Sequence, residues 1–366
     1  MTAERPVICI VDGSTDVSGA FIAARREAVL LADAAEFVLL TSNESRIGRD
    51  QLAPFARVHR LPLVSLRRSA WSALIYVPAL LYCSWLMLRI ARQEKCTRLQ
   101  LNDFHFAHGT VLRLLGYRGR IVTFIRSNPE RFGAIGRTWL KLSLWSSDSL
   151  VAVSESVRRR MPWPRRVQLL YDPTPDVPLL GASAEANLVL MGNYDPHKGH
   201  GEAIAAFHRI ADKHPRARLL LYGSDMGLAG QRANLLALRE AAREGAGGDR
   251  IEFREFVPDP ADALRHARAA LSFSRSESFS LACQEASAYG IPVIATRSGG
   301  PEEIVEDGVT GYLVDVGDVD AMAQRMDELL SNPGLARKLG MAGAELVRAR
   351  FSAAEYAETM RGTFEL

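Results

Sequence analysis

Two carboxylates stand eight positions apart in RSESFSLACQEASAYG (275–290), Glu277 and Glu285, with no other charged residue between them. Lone acids at this spacing suit a general acid and base pair, or two groups that hold hydroxyls at opposite ends of one polar ligand. The preceding AALSFS (269–274) reads as a strand and QEASAYG as a helix ending at Gly290, so the switch falls at Ser276 to Ser280. Ser280 is the candidate N-cap, which leaves the amides after it unsatisfied and open to an anion. Glu277 then precedes the helix and Glu285 lies more than one turn inside it, so the two would address different parts of an extended ligand with a phosphate between them. Two exposed acids with no ligand at all are the plain alternative.

Two other loops have phosphate-compatible chemistry. In NYDPHKGH (193–200), Lys198 and Gly199 stand where the next helix begins, so an ammonium and a helix N-terminus converge on one point. A surface lysine in a glycine turn is the competing reading. In DGSTDVSGAF (12–21), Gly19 would let backbone approach a ligand at a helix start, but the loop is not GxGxxG and a tight strand-to-helix turn fits it equally well. The pairs His197/His200 and His105/His108 are three apart, but neither falls in a metal-ligand pattern with cysteine or further acidic partners, so no metal site is expected. His105 follows RLQLND and is expected on a cleft-facing loop.

The elements that must position these loops are legible as apolar, β-branched runs: VICIV (7–11), FVLLTS (37–42), RLQLND (98–103), RIVTFIR (120–126) and SLVAVS (149–154). After the proline-rich YDPTPDVPLLGAS (171–183) the rhythm resumes with NLVLMG (187–192), RLLLYGS (218–224), IEFREFV (251–257), AALSFS and IPVIAT (291–296). Continuous hydrophobic strands alternating with helix-length segments indicate parallel sheets covered on both faces. Two doubly wound domains joined by the proline-rich linker are expected, and ligands of such sheets bind beyond the strand C-termini.

With 366 residues, 24% charged and 48% hydrophobic, the chain is an ordinary globular sequence long enough for two cores. Four scattered cysteines give neither a disulfide framework nor a zinc ribbon and suit a reducing cytoplasm, and the short apolar start VICIV is too brief for a secretory leader. Residues 1–180 carry 25 Lys/Arg against 15 Asp/Glu, whereas the remainder carries 20 against 27, so the N-terminal half is expected to meet something anionic. Ser69 to Leu88 runs 20 residues without a charge, flanked by Arg67, Arg68, Arg89 and Arg92. It has the length of a membrane span, but it lies between strands of one sheet and contains Pro78, so a buried domain helix is expected, with a helix resting in a membrane interface as the alternative. RRRMPWPRR (158–166) is either a solvated helix end or a patch for anionic lipid headgroups.

The stretch SESFSLACQEASAYGIPVIATRSGGPEEIVEDGVTGYLVD, with its E-x7-E pattern, closely resembles the donor-site signature of retaining glycosyltransferases of family 4. MGNYDPHKGHGEAIAAF and SDSLVAVSESVRRRM extend the likeness, which is strong over 187–331 and diffuse over the first 180 residues. The resemblance implies the GT-B fold, two Rossmann-like doubly wound domains facing a cleft: 1–180 for the acceptor, 184–351 for the nucleotide-sugar donor, and a C-terminal helix (352–366) packing back on the first. It implies that Glu285 holds the ribose hydroxyls and Glu277 the donor sugar's hydroxyls, that the amides of Phe279, Ser280 and Leu281 face sugar and diphosphate, that Lys198 neutralises the diphosphate, and that the Gly19 loop closes over it. Catalysis then falls to Glu277 and Lys198, with retention of configuration, no metal and no cofactor. Relatives usually carry Arg where this chain has Asn193, and many carry a His where it has Ile125 and Arg126. Arg126 is the candidate replacement cation, and His105 and Arg126 the candidate acceptor-side residues.

The partners expected are a UDP- or GDP-sugar, a glycan acceptor, most simply lipid-linked and destined for a polysaccharide or lipopolysaccharide, and an anionic membrane surface at the inner face of the cytoplasmic membrane, with no nucleic acid. A nucleotide-sugar hydrolase or epimerase of the same fold, and a non-catalytic nucleotide- or glycan-binding protein, are the competing functions.

Overall fold

The structure, a computed structural model, describes residues 5–63 and 70–366. The chain divides into two compact units, one of Met1–Pro173 with Ala353–Leu366 and one of Thr174–Ser352. The division falls inside the proline-rich stretch.

The first unit is built on a parallel sheet of β1 (Val7–Asp12), β2 (Glu36–Ser42), β3 (Arg57–Leu61), β4 (Arg98–Leu101), β5 (Arg120–Ile125), β6 (Ser149–Ala152) and β7 (Gln168–Leu169), in the order β3-β2-β1-β4-β5-β6-β7. Ile8, Cys9, Ile10 and Val11 of β1 are all fully buried. Such continuous burial is what a parallel sheet with helices on both faces requires. The register pairs Ile8 with both Phe37 and Arg98, so β1 and β4 are neighbours whose outgoing connections part to opposite sides. The helix after β1, Gly19–Leu30, begins where the Ser18 side chain accepts from the Phe21 amide at 3.2 Å.

Thr174–Ser352 repeats the plan with β8 (Asn187–Met191), β9 (Arg218–Gly223), β10 (Ile251–Glu255), β11 (Ala267–Ser272), β12 (Val293–Thr296) and β13 (Gly311–Val314), ordered β10-β9-β8-β11-β12-β13. β11 slips register against β8 between Ala267 and Ala269. The residue at the slip, Arg268, is buried and donates to the carbonyls of Ser183 and Ala184, which is how a strand reading ARAALS keeps an arginine inside.

From residue 76 on, where its side chains are described, helix Ala70–Gln93 is half-buried, not buried throughout. Cys83, Met87, Leu88 and Ala91 join the core, whereas Val77, Leu81, Tyr82 and Trp85 are exposed. Among the described residues no helix is long and apolar enough to cross a membrane. Arg67, Arg68 and Ser69, which open the uncharged run, lie outside the described residues. The RRRMPWPRR cluster is less cationic than its composition suggests, because Arg158 and Arg159 reach Glu155 at 2.7 and 3.0 Å and Arg160 lies 3.8 Å from Glu130.

The closing helix, Ala353–Phe364, belongs to the first unit and is tied there by polar contacts. Arg98 Nε donates to Phe364 O at 2.6 Å and Arg120 Nε to Thr363 O at 2.5 Å, satisfying carbonyls that a helix end leaves open. Tyr356 donates to Glu27 Oε2 at 2.9 Å, and Gln100 Nε2 donates to the same oxygen at 3.1 Å. Glu27 is fully buried. Burial pushes its carboxyl from an ordinary 4.5 up to about 7, against the opposing pull of Arg126 and these two hydrogen bonds.

Between pH 4.5 and about 7 the unfolded chain has released the Glu27 proton that the fold retains, so this group lowers stability as pH rises through that window. Glu27→Gln removes the ionisation while keeping the acceptor. Denaturant melts across pH should show the variant gaining on the parent with rising pH, by an amount approaching ~3 kcal/mol above neutrality.

Candidate active site

In the order β10-β9-β8-β11-β12-β13, β8 and β11 are the adjacent strands whose connections leave in opposite directions, which is where a doubly wound sheet opens a crevice. The loop leaving β8 runs Gly192–Asn193–Tyr194–Asp195 into a short 3₁₀ turn, Pro196–Lys198, and then helix His200–Ile210. Asp195 caps the turn by accepting from the His197 amide at 2.8 Å. Gly199 adopts φ +76°, and a Cβ there would lie 2.1 Å from the Phe273 carbonyl oxygen just beyond β11. The β8 loop therefore lies directly on the exit of β11, as close as backbone can come.

That approach brings Lys198 to Glu277. Lys198 Nζ lies 2.7 Å from Glu277 Oε1, and Ser274 Oγ donates to the same oxygen at 2.7 Å. The backbone of Glu277 is pinned as well: its amide donates to Ser298 O at 3.0 Å, and the Gly300 amide donates to Glu277 O at 3.0 Å. A Cβ at Gly300 would lie 2.2 Å from Phe279 O, so the Gly299–Gly300 turn needs both its glycines to fit. Ser274, Ser298 and Gly300 are site residues that sequence reasoning passed over. The glycine pair in RSGGPEE was the one visible signal of a close backbone approach.

Helix Leu281–Ala288 starts differently from the expectation. Ser280 has φ +85° and ψ +78°, and its hydroxyl donates to Cys283 Sγ at 3.1 Å, so no side chain caps the helix. Left-handed backbone at a non-glycine residue is strained. The result is an uncapped helix start directly after the Lys198–Glu277 pair. Phe279 is buried, edge-on to Phe351 at 5.3 Å, and Leu281 is half-buried. Glu285 is buried within the helix, one turn beyond its start, and Cys283 beside it is an inert thiol that burial pushes up to about 11.

Asn193 sits at the β8 exit, where Nδ2 donates to Met226 Sδ at 3.0 Å and the buried Oδ1 has no hydrogen-bond partner among the described residues. His200 is buried, and burial together with the nearby Lys198 ammonium pulls it down to about 4, whereas His197 is exposed. Among the described residues no three His, Cys, Asp or Glu side chains gather as metal ligands.

In the first unit, Gly19 is the first residue of its helix, in a loop closed by Ser14 Oγ to Ser18 Oγ at 2.7 Å. Arg126 is not the available cation that its sequence position suggested. Its guanidinium is buried, bonded to Asp172 at 2.7 and 3.0 Å and to Asn102 Oδ1 at 2.8 Å, and stacked 4.4 Å over Phe124. Asn102 in turn donates to Asp12 at 2.5 Å, so Arg126 ties together the ends of β1, β4 and β5. His105 is half-exposed, its Nδ1 3.3 Å from Asp103 and its ring 4.5 Å from that of Phe106. Burial pushes the Asp103 carboxyl up, but the nearby His105 ring and hydrogen bonds from Ser127 and the Phe104 amide outweigh it and hold the group below its ordinary value.

Residues 181–346 match the family model described as glycosyl transferases group 1. That segment makes up most of the C-terminal unit. Over 170 residues, 46% of this chain and 42% of the relative, the sequence is 30% identical to N-acetyl-alpha-D-glucosaminyl L-malate synthase of Bacillus anthracis. It is 27% identical over 218 residues, 57% of this chain and 61% of the relative, to the lipopolysaccharide core biosynthesis glycosyltransferase LpsE of Rhizobium meliloti. The chain spans about half the length of the curated relatives it matches. The fold is similar to that of Anabaena HepE, crystallised with UDP-glucose, at a TM-score of 0.82 and 17% identity over 98% of this chain and 99% of that one. Both units thus have the Rossmann-like architecture of the GT-B class.

In the C-terminal unit, residue 199 combines a close backbone approach with a positive φ. Gly199→Ala meets both a backbone oxygen and a forbidden φ, and should cost more than about 2 kcal/mol in urea unfolding. Ser280→Gly, at the other left-handed position, should cost nothing or stabilise by up to ~1 kcal/mol, since strain is released there.

Proposed function

We propose that this protein is a retaining, metal-independent glycosyltransferase that moves a hexose from a nucleotide-diphosphate sugar to a glycan acceptor. The observation that carries the reading is the Lys198–Glu277 pair standing before the uncapped start of helix Leu281–Ala288, within the segment that matches the group 1 family. A UDP- or GDP-sugar has a diphosphate between two hydroxyl-bearing ends, and this arrangement offers a match for each part. The ammonium of Lys198 and the amides of Phe279, Ser280 and Leu281 would take the diphosphate, since both an ammonium and a helix start favour anions. Glu285 would hold the ribose hydroxyls, Glu277 those of the transferred sugar.

Chemistry at such a site is leaving-group stabilisation. As the glycosidic bond breaks, negative charge grows on the diphosphate, and Lys198 with the helix amides would oppose it in a site already ordered by the Glu277 contacts. The departing phosphate would take the acceptor's proton, leaving no role for a separate base. Asn193, where a cation was expected, contributes an acceptor oxygen instead, which suits a hydroxyl and not a phosphate. Lys198 and the helix start then supply the positive field on this unit. His105, half-exposed within a cluster of aromatic rings, is the candidate acceptor-side residue. A lipid-linked acceptor in polysaccharide or lipopolysaccharide assembly, met by a cytoplasmic enzyme, is supported by the relatives' roles and by four unpaired cysteine thiols.

A calorimetric screen of UDP- and GDP-sugars tests the donor. One should bind with a defined stoichiometry and turn over with an acceptor, and binding of none would overturn the reading. With that donor, Glu285→Ala should weaken nucleotide binding about tenfold with little change in kcat. Glu277→Ala should lower kcat by roughly 10²–10³ with donor affinity nearly kept, and the reverse pattern would refute the assignment of the two acids.

A further inference from the structure

The exposed face of helix Ala70–Gln93 is not used by the donor site, and it changes character along its length. Val77, Leu81, Tyr82 and Trp85 are each between 44% and 55% exposed. At the helical spacing of 100° per residue they share one face with Arg89 and Arg92. Arg89 lies 4.9 Å over the Trp85 ring, where the apolar section gives way to the charged one. Just past the helix end, a cavity of about 330 Å³ is lined by Leu88, Ala91 and Tyr117 and by the cations Arg92, Lys95 and Arg118. Leu114 and Leu115, 73% and 40% exposed, close helix His108–Leu114, which packs against helix Ala70–Gln93, and extend the apolar surface toward that cavity.

Charge complementarity identifies what covers this face. Arg89, Arg92 and Arg118 are all exposed. The one acid in this part of the chain, Glu94, is turned away into contacts with Arg57 at 2.5 Å and His59 at 2.8 Å. A helix whose face runs from large apolar and amphipathic aromatic residues to cations, with no acid among them, has the composition of one lying in a bilayer interface: aliphatic side chains among acyl chains, Trp and Tyr at headgroup level, cations on phosphates. RRRMPWPRR is the weaker lipid candidate, since three of its five arginines already face acids.

We infer that the Val77–Trp85 face and the cavity edged by Arg92 and Arg118 form one docking surface for an anionic phospholipid bilayer, the cavity receiving a lipid phosphate. Docking would hold the first unit at the membrane whatever sugar the second unit carries. The inference stands on this surface alone, so its failure would leave the donor-site reading untouched.

Co-sedimentation of the full chain with phosphatidylglycerol/phosphatidylcholine vesicles, against pure phosphatidylcholine vesicles and at low and high salt, tests it. Binding should need the anionic lipid and weaken with salt. Leu81→Ser/Trp85→Ser should reduce the partition coefficient at least about tenfold, and Arg92→Gln/Arg118→Gln by about tenfold while leaving the apolar face intact. All four side chains changed are surface groups or cavity-lining cations, and thermal melts check that each variant is folded. No binding to anionic vesicles, or binding indifferent to both double variants, overturns the proposal. A salt-insensitive dimer in sedimentation equilibrium that Leu81→Ser/Trp85→Ser dissociates, without vesicle binding, would overturn it in favour of a second copy of the chain.

Discussion

A carbonyl oxygen decides the geometry of the candidate donor site. Phe273 O occupies the place where any side chain at residue 199 would begin, so the loop leaving β8 must rest on the exit of β11 through bare backbone. Two parallel strands whose connections diverge leave a crevice as a matter of topology. Bringing opposite charges together in it takes more: Gly199 lets the turn lie flat, the turn aims Lys198 inward, and Glu277, pinned by the backbone of Ser298 and Gly300, is there to meet it at 2.7 Å. With Glu277 14% and Lys198 35% exposed, the pair adds little to stability. Its value is order, because two groups that must act on one ligand are already in place.

The first unit handles charge in the opposite way, by burying it. Arg126 and Asp172 are each 5% exposed, and the guanidinium is supported by Asn102 and the Phe124 ring. Buried ion pairs give weak net stabilisation but can fix geometry, and here the guanidinium is held through Nε and Nη1 while the buried Nη2 has no hydrogen-bond partner among the described residues. Here the chain Asp12–Asn102–Arg126–Asp172 links three strand ends to the last residues before the first unit breaks off. Glu27 lies within the electrostatic reach of Arg126 and holds the returning C-terminal helix through Tyr356. One polar layer thus joins segments far apart in sequence, at the cost of a carboxyl that resists ionisation.

The strands were readable because burial on both faces removes alternation and leaves runs such as VICIV and RLLLY, which no amphipathic element would have. β7, of two residues, and β13, hidden inside EDGVTGYLVD, lack such runs: one is too short, and the other keeps Leu313 only half-buried. In the site, the positions of Glu277 and Lys198 in the loops after strands, and of Glu285 inside the following helix, followed from the rhythm of elements. What did not follow was the conformation of individual residues. Serine before a helix reads as a cap by propensity, but Ser280 has left-handed backbone and turns its hydroxyl to Cys283. The role of Arg126 was hidden for a related reason: its partner Asp172 is 46 residues away, and only tertiary folding brings the two charges together.

The same contrast bears on which cation could stand in for the one missing at position 193. A free charge and a compensated one look alike in sequence, and the difference lies in whether an acid of opposite sign shares its burial. Arg126 is compensated and enclosed, so lending its charge to a ligand would mean leaving Asp172 unpaired in a poorly solvated place, a cost of several kcal/mol. Lys198 is also paired, but it is one-third exposed and its partner is itself a candidate ligand group, so exchanging Glu277 for a diphosphate leaves neither charge stranded. A cation that can change partners cheaply is the one suited to a leaving group. By that criterion Lys198 is the cation proposed for the chemistry, whereas the charge of Arg126 is already engaged within the fold.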